Sequence, residues 1–244
     1  MTPLLIIGCF VAAFVSGITG MAGGTLILSI LLLFFEPLEC IAIHGFLQVI
    51  ANITRVGVFW KSVNWRSFAY FVGLVLPGAW LGMRLSTQFN PNLLKVVLGL
   101  VILWVAWKPT KKTKVVSQKR PFIFVPLGFL SGFLGMIIGV TGPLLAPFFL
   151  QAGLLKETFI ATKAICQFVV QIVKVVLFAT LLQFDYTHFF GELIFMSGAI
   201  VIGTIVAKIT LKRIPTNIFV SLLKLILTTI AIRLTWEGII NLFE

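Results

Sequence analysis

Apolar residues dominate the chain in blocks, and the few polar residues inside those blocks are spaced as a helix would space them. In the segment 41–59 (IAIHGFLQVIANITRVGVF), His44, Gln48, Asn52 and Arg55 stand at i, i+4, i+8 and i+11. In 160–178 (IATKAICQFVVQIVKVVLF), Lys163, Gln167, Gln171 and Lys174 repeat that spacing. At the helical period, such a set falls within an arc of roughly 80° on one face. Two apolar helices are therefore predicted, each carrying a ladder of amide and cationic side chains. Further helices are expected at about 67–86, 91–107, 189–209 and 215–236.

Two other apolar stretches, roughly 3–35 and 122–150, are interrupted instead of continuous. The first breaks at Gly17, Gly20, Gly23 and Gly24, and the second at Gly135, Gly139, Gly142 and Pro143. Glycine reaches backbone conformations that a helix lacks, and proline removes an N–H donor. The order of parts is the same in both halves. FVSGITGM (14–21) parallels FLSGFLGM (129–136), and GMAGGTLIL (20–28) parallels GVTGPLLAP (139–147) after a short insertion around Ile137 and Ile138. Val63-Asn64-Trp65 parallels Phe184-Asp185-Tyr186, and Pro91 corresponds to Pro215. The organisation is an N-terminal repeat (1–107), a connector (108–121) and a C-terminal repeat (122–244).

Composition turns these helices into membrane spans. Of 244 residues, 59% are hydrophobic and 11% charged, and the mean hydropathy is +1.12. A soluble domain of this size has too little interior for that much apolar surface. The expected fold is an all-α polytopic membrane protein with the bilayer as its surroundings, the N-terminal stretch being its first membrane segment. The formal net charge is +12, but Lys108, Lys111, Lys112, Lys114, Lys119 and Arg120 concentrate it in the connector. That cluster marks a cytoplasmic loop and not a nucleic-acid surface.

Charge also orients the halves. If each broken stretch is a hairpin, the halves are inverted and Lys61, Arg66, Lys208, Lys212 and Arg213 join the connector on the cytoplasmic side. If each is a single broken crossing, the halves run parallel and Lys208, Lys212 and Arg213 lie outside. The positive-inside preference favours the inverted arrangement. Trp60, Trp65, Trp104, Trp107 and Trp236 fall near predicted span ends, as interfacial tryptophans do.

Polar groups within apolar spans mark a path or a site. A helix that restarts in mid-membrane presents unpaired N–H groups and the positive end of its dipole, a natural seat for an anion. Gly23, Gly24 and Gly142 would let a ligand approach the backbone, with Thr25 and Thr141 adding hydroxyls. Gln48, Asn52, Gln167 and Gln171 supply amide donors suited to oxyanion oxygens, while His44 and Lys163 supply positive potential. Arg55 and Lys174 are either gating charges or end-of-span side chains that snorkel to water. Ser16-Gly17 and Ser131-Gly132 read as helix-packing positions, and His188 and Glu192 as a surface pair. Cys9, Cys40 and Cys166 have no metal or redox spacing, and neither a nucleotide loop nor a catalytic constellation is present. No cofactor is expected, and the chain is not read as an enzyme.

The glycine-rich opening of each half, the GMAGGTLIL and GVTGPLLAP segments, the Val63-Asn64-Trp65 turn and LPGAWLGMRL (76–85) resemble the TauE/SafE family of sulfite exporters and organosulfonate permeases. The resemblance covers nearly the whole chain. It implies movement of sulfite, sulfoacetate or other organosulfonates, linked to a proton or another gradient and without ATP; with the duplicated halves, the expected protein is a secondary transporter of the inner (plasma) membrane working by alternating access. Two departures affect the shape of the site. The first cluster reads GMAGG where a third glycine is common, and Ser29 replaces a frequent proline. A passive anion channel built from the same residues, or an accessory membrane subunit, is the alternative reading. The substrate anion, its direction and the oligomeric state are not fixed by sequence.

Overall fold

The computed structural model describes residues 2–20, 22–31, 33–85, 91–107, 121–137 and 141–243. Eleven α-helices and no strand occur among them: α1 (Thr2–Thr19), α2 (Gly23–Leu31), α3 (Pro37–Val58), α4 (Trp65–Val72), α5 (Val75–Leu85), α6 (Pro91–Trp107), α7 (Phe124–Ile137), α8 (Gly142–Gln151), α9 (Lys156–Leu181), α10 (Phe190–Arg213) and α11 (Thr216–Phe243). The connector, apart from Pro121, the inserted Ile138 and the expected break at Gly139 lie outside the described residues. Five spans are long and apolar enough to cross a bilayer: α3, α4–α5 together, α9, α10 and α11. The protein is a multi-pass, all-α membrane protein.

The two broken stretches are hairpins. A Cβ on Gly23 at the start of α2 would strike Ser16, and one on Gly8 would come within 2.6 Å of Ile30. The helix α2 therefore runs back along α1. Its 9 residues reach about 14 Å, roughly half of a hydrocarbon core. In the second half Leu134 packs on Leu144, and Thr141 lies beside Gly135, so α8 returns along α7 in the same way. The first turn is made at Gly20 and Ala22, with φ of 71° and 69°. Glycine takes that conformation without penalty, whereas alanine is strained there.

The expected span 67–86 is interrupted. It is divided at Gly73–Leu74 into α4 and α5. Pro77, four residues after Gly73, has no N–H to give the Gly73 carbonyl, which accounts for the break. The matched turn motifs perform matched tasks. The Asn64 side chain accepts from the Ser67 N–H at 3.0 Å to cap α4. Asp185 accepts from the Thr187 N–H at 2.9 Å and hydroxyl at 2.6 Å. Those bonds hold the Asp185 carboxyl below its ordinary pKa.

Packing joins the halves by exchange. From the first half, α1 lies along α10, and α4–α5 lie along α7; α6 pairs with α11, and α3 with α9. Small residues permit the close approach. Gly17 faces Ala207, Gly203 faces Phe10 O, Gly78 and Gly82 face the backbone of Phe129 and Phe133, and Gly132 faces Val75 O. Helices in lipid associate through such fits because apolar burial alone gives them little drive. Apolar side chains such as Ile7, Val97, Leu100, Phe195, Ile202 and Leu225 are exposed, as are all five tryptophans placed at span ends. The polar ladders of α3 and α9 are buried instead, including Arg55 at 4% and Lys174 at 1% exposure. Neither side chain reaches the surface as a snorkelling cation would. His188 and Glu192 do not pair; among the described residues the one ion pair is Arg233–Glu237.

The glycine contacts predict opposite signs for two substitutions. Gly132→Val should lower stability by about 1–3 kcal/mol, because its side chain meets the Val75 carbonyl. Gly198→Ala has open space and should leave stability unchanged or slightly raised. Thermal unfolding of the detergent-solubilised protein distinguishes them.

Candidate functional site

The tips of both hairpins and the middles of α3 and α9 enclose one cavity. Its wall is formed by Ser16, Gly20, Ala22, Gly24 and Thr25 from the first hairpin, and Thr141, Gly142 and Pro143 from the second. His44, Gln48, Asn52 and Arg55 line it from α3, and Lys163, Gln167 and Gln171 from α9. The helical spacing that puts each ladder on one face thus turns both ladders inward. About 20 Å³ is open to the centres of water-sized spheres, room for one or two waters.

The two helices differ in what their polar groups already hold. On α9, the Lys163 ammonium donates to Gly20 O at 2.6 Å, across the two halves. Gln167 Nε2 donates to Thr141 Oγ1 at 3.1 Å, which leaves the Thr141 proton free to point elsewhere. On α3, Arg55 Nη1 donates to Asn52 Oδ1 at 2.9 Å. Gln48 Nε2, Asn52 Nδ2, and Arg55 Nε and Nη2 are buried without a hydrogen-bond partner. The His44 ring approaches Gly24, but neither ring nitrogen meets hydrogen-bonding geometry. Gln171 Oε1 is an unpartnered acceptor.

Electrostatics gives this inventory a direction. A Cβ built on Gly24 would lie 3.4 Å from His44 Nε2, and one on Gly142 would lie 3.4 Å from Lys163 Nζ. Each basic side chain thus sits at the beginning of a half-helix, where first-turn N–H groups are unpaired and the dipole is positive. Like potential is stacked on like, and no carboxylate lines the cavity. A negatively charged guest would offset the positive potential at Lys163 and the two helix starts, whereas a cation would add to it.

Some candidates lie elsewhere. Gly23 does not face the cavity; its missing side chain makes room for Ser16 and Ala12 O. Thr25 is in the wall, but its hydroxyl donates to Ala22 O at 2.7 Å. Lys174 is buried beside Gly45, away from the lining. Cys166 is buried and does not line the cavity. Conversely Ser16, read as a packing position, is part of the wall, as are Gly20, Ala22 and Pro143. Ser16 occupies one helical turn before Gly20, so its place at the hairpin tip follows once the break is located at 20–22.

The neighbouring glycines should respond differently. Gly23→Ala is expected to cost about 1–3 kcal/mol in thermal unfolding, since its methyl meets α1 within 2.6 Å of Ala12 O. Gly24→Ala makes ordinary contacts of 3.4–3.6 Å and should shift stability by no more than about 0.5 kcal/mol.

A family model described as Sulfite exporter TauE/SafE matches residues 4–234. No curated protein and no solved structure matches the chain. The match takes in nearly all of both hairpins, both polar ladders, four of the five long spans and most of the fifth, and the chain belongs to the TauE/SafE sulfite exporter family.

Proposed function

We propose that this protein is a secondary transporter that moves small sulfur-containing oxyanions, sulfite foremost, across the plasma membrane by alternating access. The observation that carries this reading is the group of buried, unpartnered N–H donors on α3 facing Lys163 and two half-helix starts in a cavity without a carboxylate. Sulfite has four heavy atoms, close to the bulk of two waters, and suits the narrow space better than a large organosulfonate does. Oxygens of the anion would accept from Gln48, Asn52 and Arg55, while Lys163, Gln167 and the N–H groups at Gly24 and Gly142 complete the cradle.

The hairpins favour an inverted-repeat mechanism. With both broken stretches returning to the side they came from, the first hairpin enters from one face and the second from the opposite face. Duplicated halves of opposite orientation, meeting at discontinuous helices near the midplane, are a recurrent transporter plan. With α6, 17 apolar residues long, taken as a sixth crossing, the connector, Lys61, Arg66, Lys208 and Arg213 share one side, and the positive-inside preference supports reading that side as the cytoplasm. Both termini fall outside.

Two measurements test these statements. Sulfite should raise the unfolding temperature of the purified protein. Gln48→Ala and Gln167→Ala should each weaken its apparent affinity by about ten- to a hundredfold, the scale of a hydrogen bond to a charged group. Unchanged affinity in both removes these amides from the site. For topology, a cysteine introduced at Lys114 should react with an impermeant maleimide only from the cytoplasmic side, and a carboxy-terminal tag should be reached only from outside.

A further inference from the structure

Alternating access requires a return crossing, and the cavity's charges bear on what can make it. Exchange presupposes the anion transport proposed above. Arg55 carries a guanidinium that does not deprotonate in proteins. It is 4% exposed, fixed at Nη1 by Asn52 and otherwise unpartnered. Lys163 faces the same space at 5% exposure, with Gly20 O as its acceptor. Their neighbours are amides, hydroxyls and helix starts. Glu36, Glu39, Glu157, Asp185, Glu192 and Glu237 all lie outside the lining, at exposed or half-buried positions.

Closing the cavity around an oxyanion gives both cations a counter-charge and gives the N–H donors of Gln48, Asn52 and Arg55 their acceptors. Closing it around one or two waters satisfies donors but neutralises nothing. Burying cationic side chains at membrane depth without a counter-charge is costly. Each crossing passes through a closed arrangement, so the loaded protein crosses readily and the unloaded one does not. We infer that the protein is an obligatory anion exchanger, in which one oxyanion leaves only as another is carried back. The return passenger is any compact oxyanion that the Arg55–Lys163 cavity accepts.

The test uses the full-length protein in liposomes loaded with radiolabelled sulfite. The outer solution holds either unlabelled sulfite or gluconate at equal ionic strength, with potassium and valinomycin clamping the membrane potential. Release into sulfite is expected to exceed release into gluconate by about tenfold or more. In Arg55→Gln the ratio should fall towards one, because the closed cavity has lost its permanent charge, whereas Arg55→Lys should keep it. Should Arg55→Gln fail to fold, Lys163→Gln is expected to lower the ratio in the same direction. Equal release into both solutions, still saturable in sulfite, overturns obligatory exchange and leaves the transport reading standing. A ratio that persists in both charge-removing variants overturns the electrostatic origin. Release that does not saturate in either solution overturns the transport reading together with the exchange.

Discussion

Positive potential confined in a space with no carboxylate is the constraint around which this protein is built. Charged and amide groups are expensive at membrane depth, and here they are concentrated on the two most buried strips of the fold. The hairpins make the concentration larger, because each brings the positive start of a short helix to the same place. Such an arrangement attracts negative charge, in keeping with the anion transport proposed above. Everything outward of α3 and α9 serves to hold these strips face to face and to keep lipid away from them.

The holding is done by backbone proximity. Gly17, Gly78, Gly82, Gly128, Gly132 and Gly203 each face the other half at a distance that a side chain would forbid. These contacts fix α1 on α10 and α7 on α4–α5. The Lys163–Gly20 and Asn64–Thr162 hydrogen bonds also span the halves. If the halves rock as proposed, some contacts have to persist while others exchange. The glycine seams are rigid candidates for the first group, and the single polar ties for the second.

Much of this was legible in the residues themselves. Polar side chains at helical spacing in two apolar segments located α3 and α9 and the face each would turn inward, because hydrocarbon leaves such groups few alternatives. Clustered glycines located the breaks. What spacing does not convey is which glycine of a cluster faces a cavity and which accommodates a neighbouring helix. Gly23 and Gly24 are adjacent, yet one packs on Ser16 and the other beside His44. Nor does a ladder reveal where it leaves the cavity. Lys174 shares the face of Lys163, Gln167 and Gln171, but the cavity ends before it, and it is covered by α3 at Gly45. The break at Gly73 was foreshadowed by Pro77, whose missing donor acts four residues upstream of where the proline is seen. Arg55 illustrates the opposite difficulty. Its position near a helix end suits a surface anchor equally well, and only the packing of α9 against α3 buries it.

The exchange of helices between halves has a consequence for biosynthesis. The partner of α1 is α10, which the ribosome makes roughly 170 residues later, a delay on the order of ten to thirty seconds at ordinary elongation rates. Throughout that interval the hairpin can pack on α3, but the glycine face of α1 that meets α10 has no partner from its own chain. The nascent protein therefore depends on the insertion machinery or on lipid to shelter an unfinished membrane segment, and truncation anywhere before α10 leaves that segment permanently without its mate.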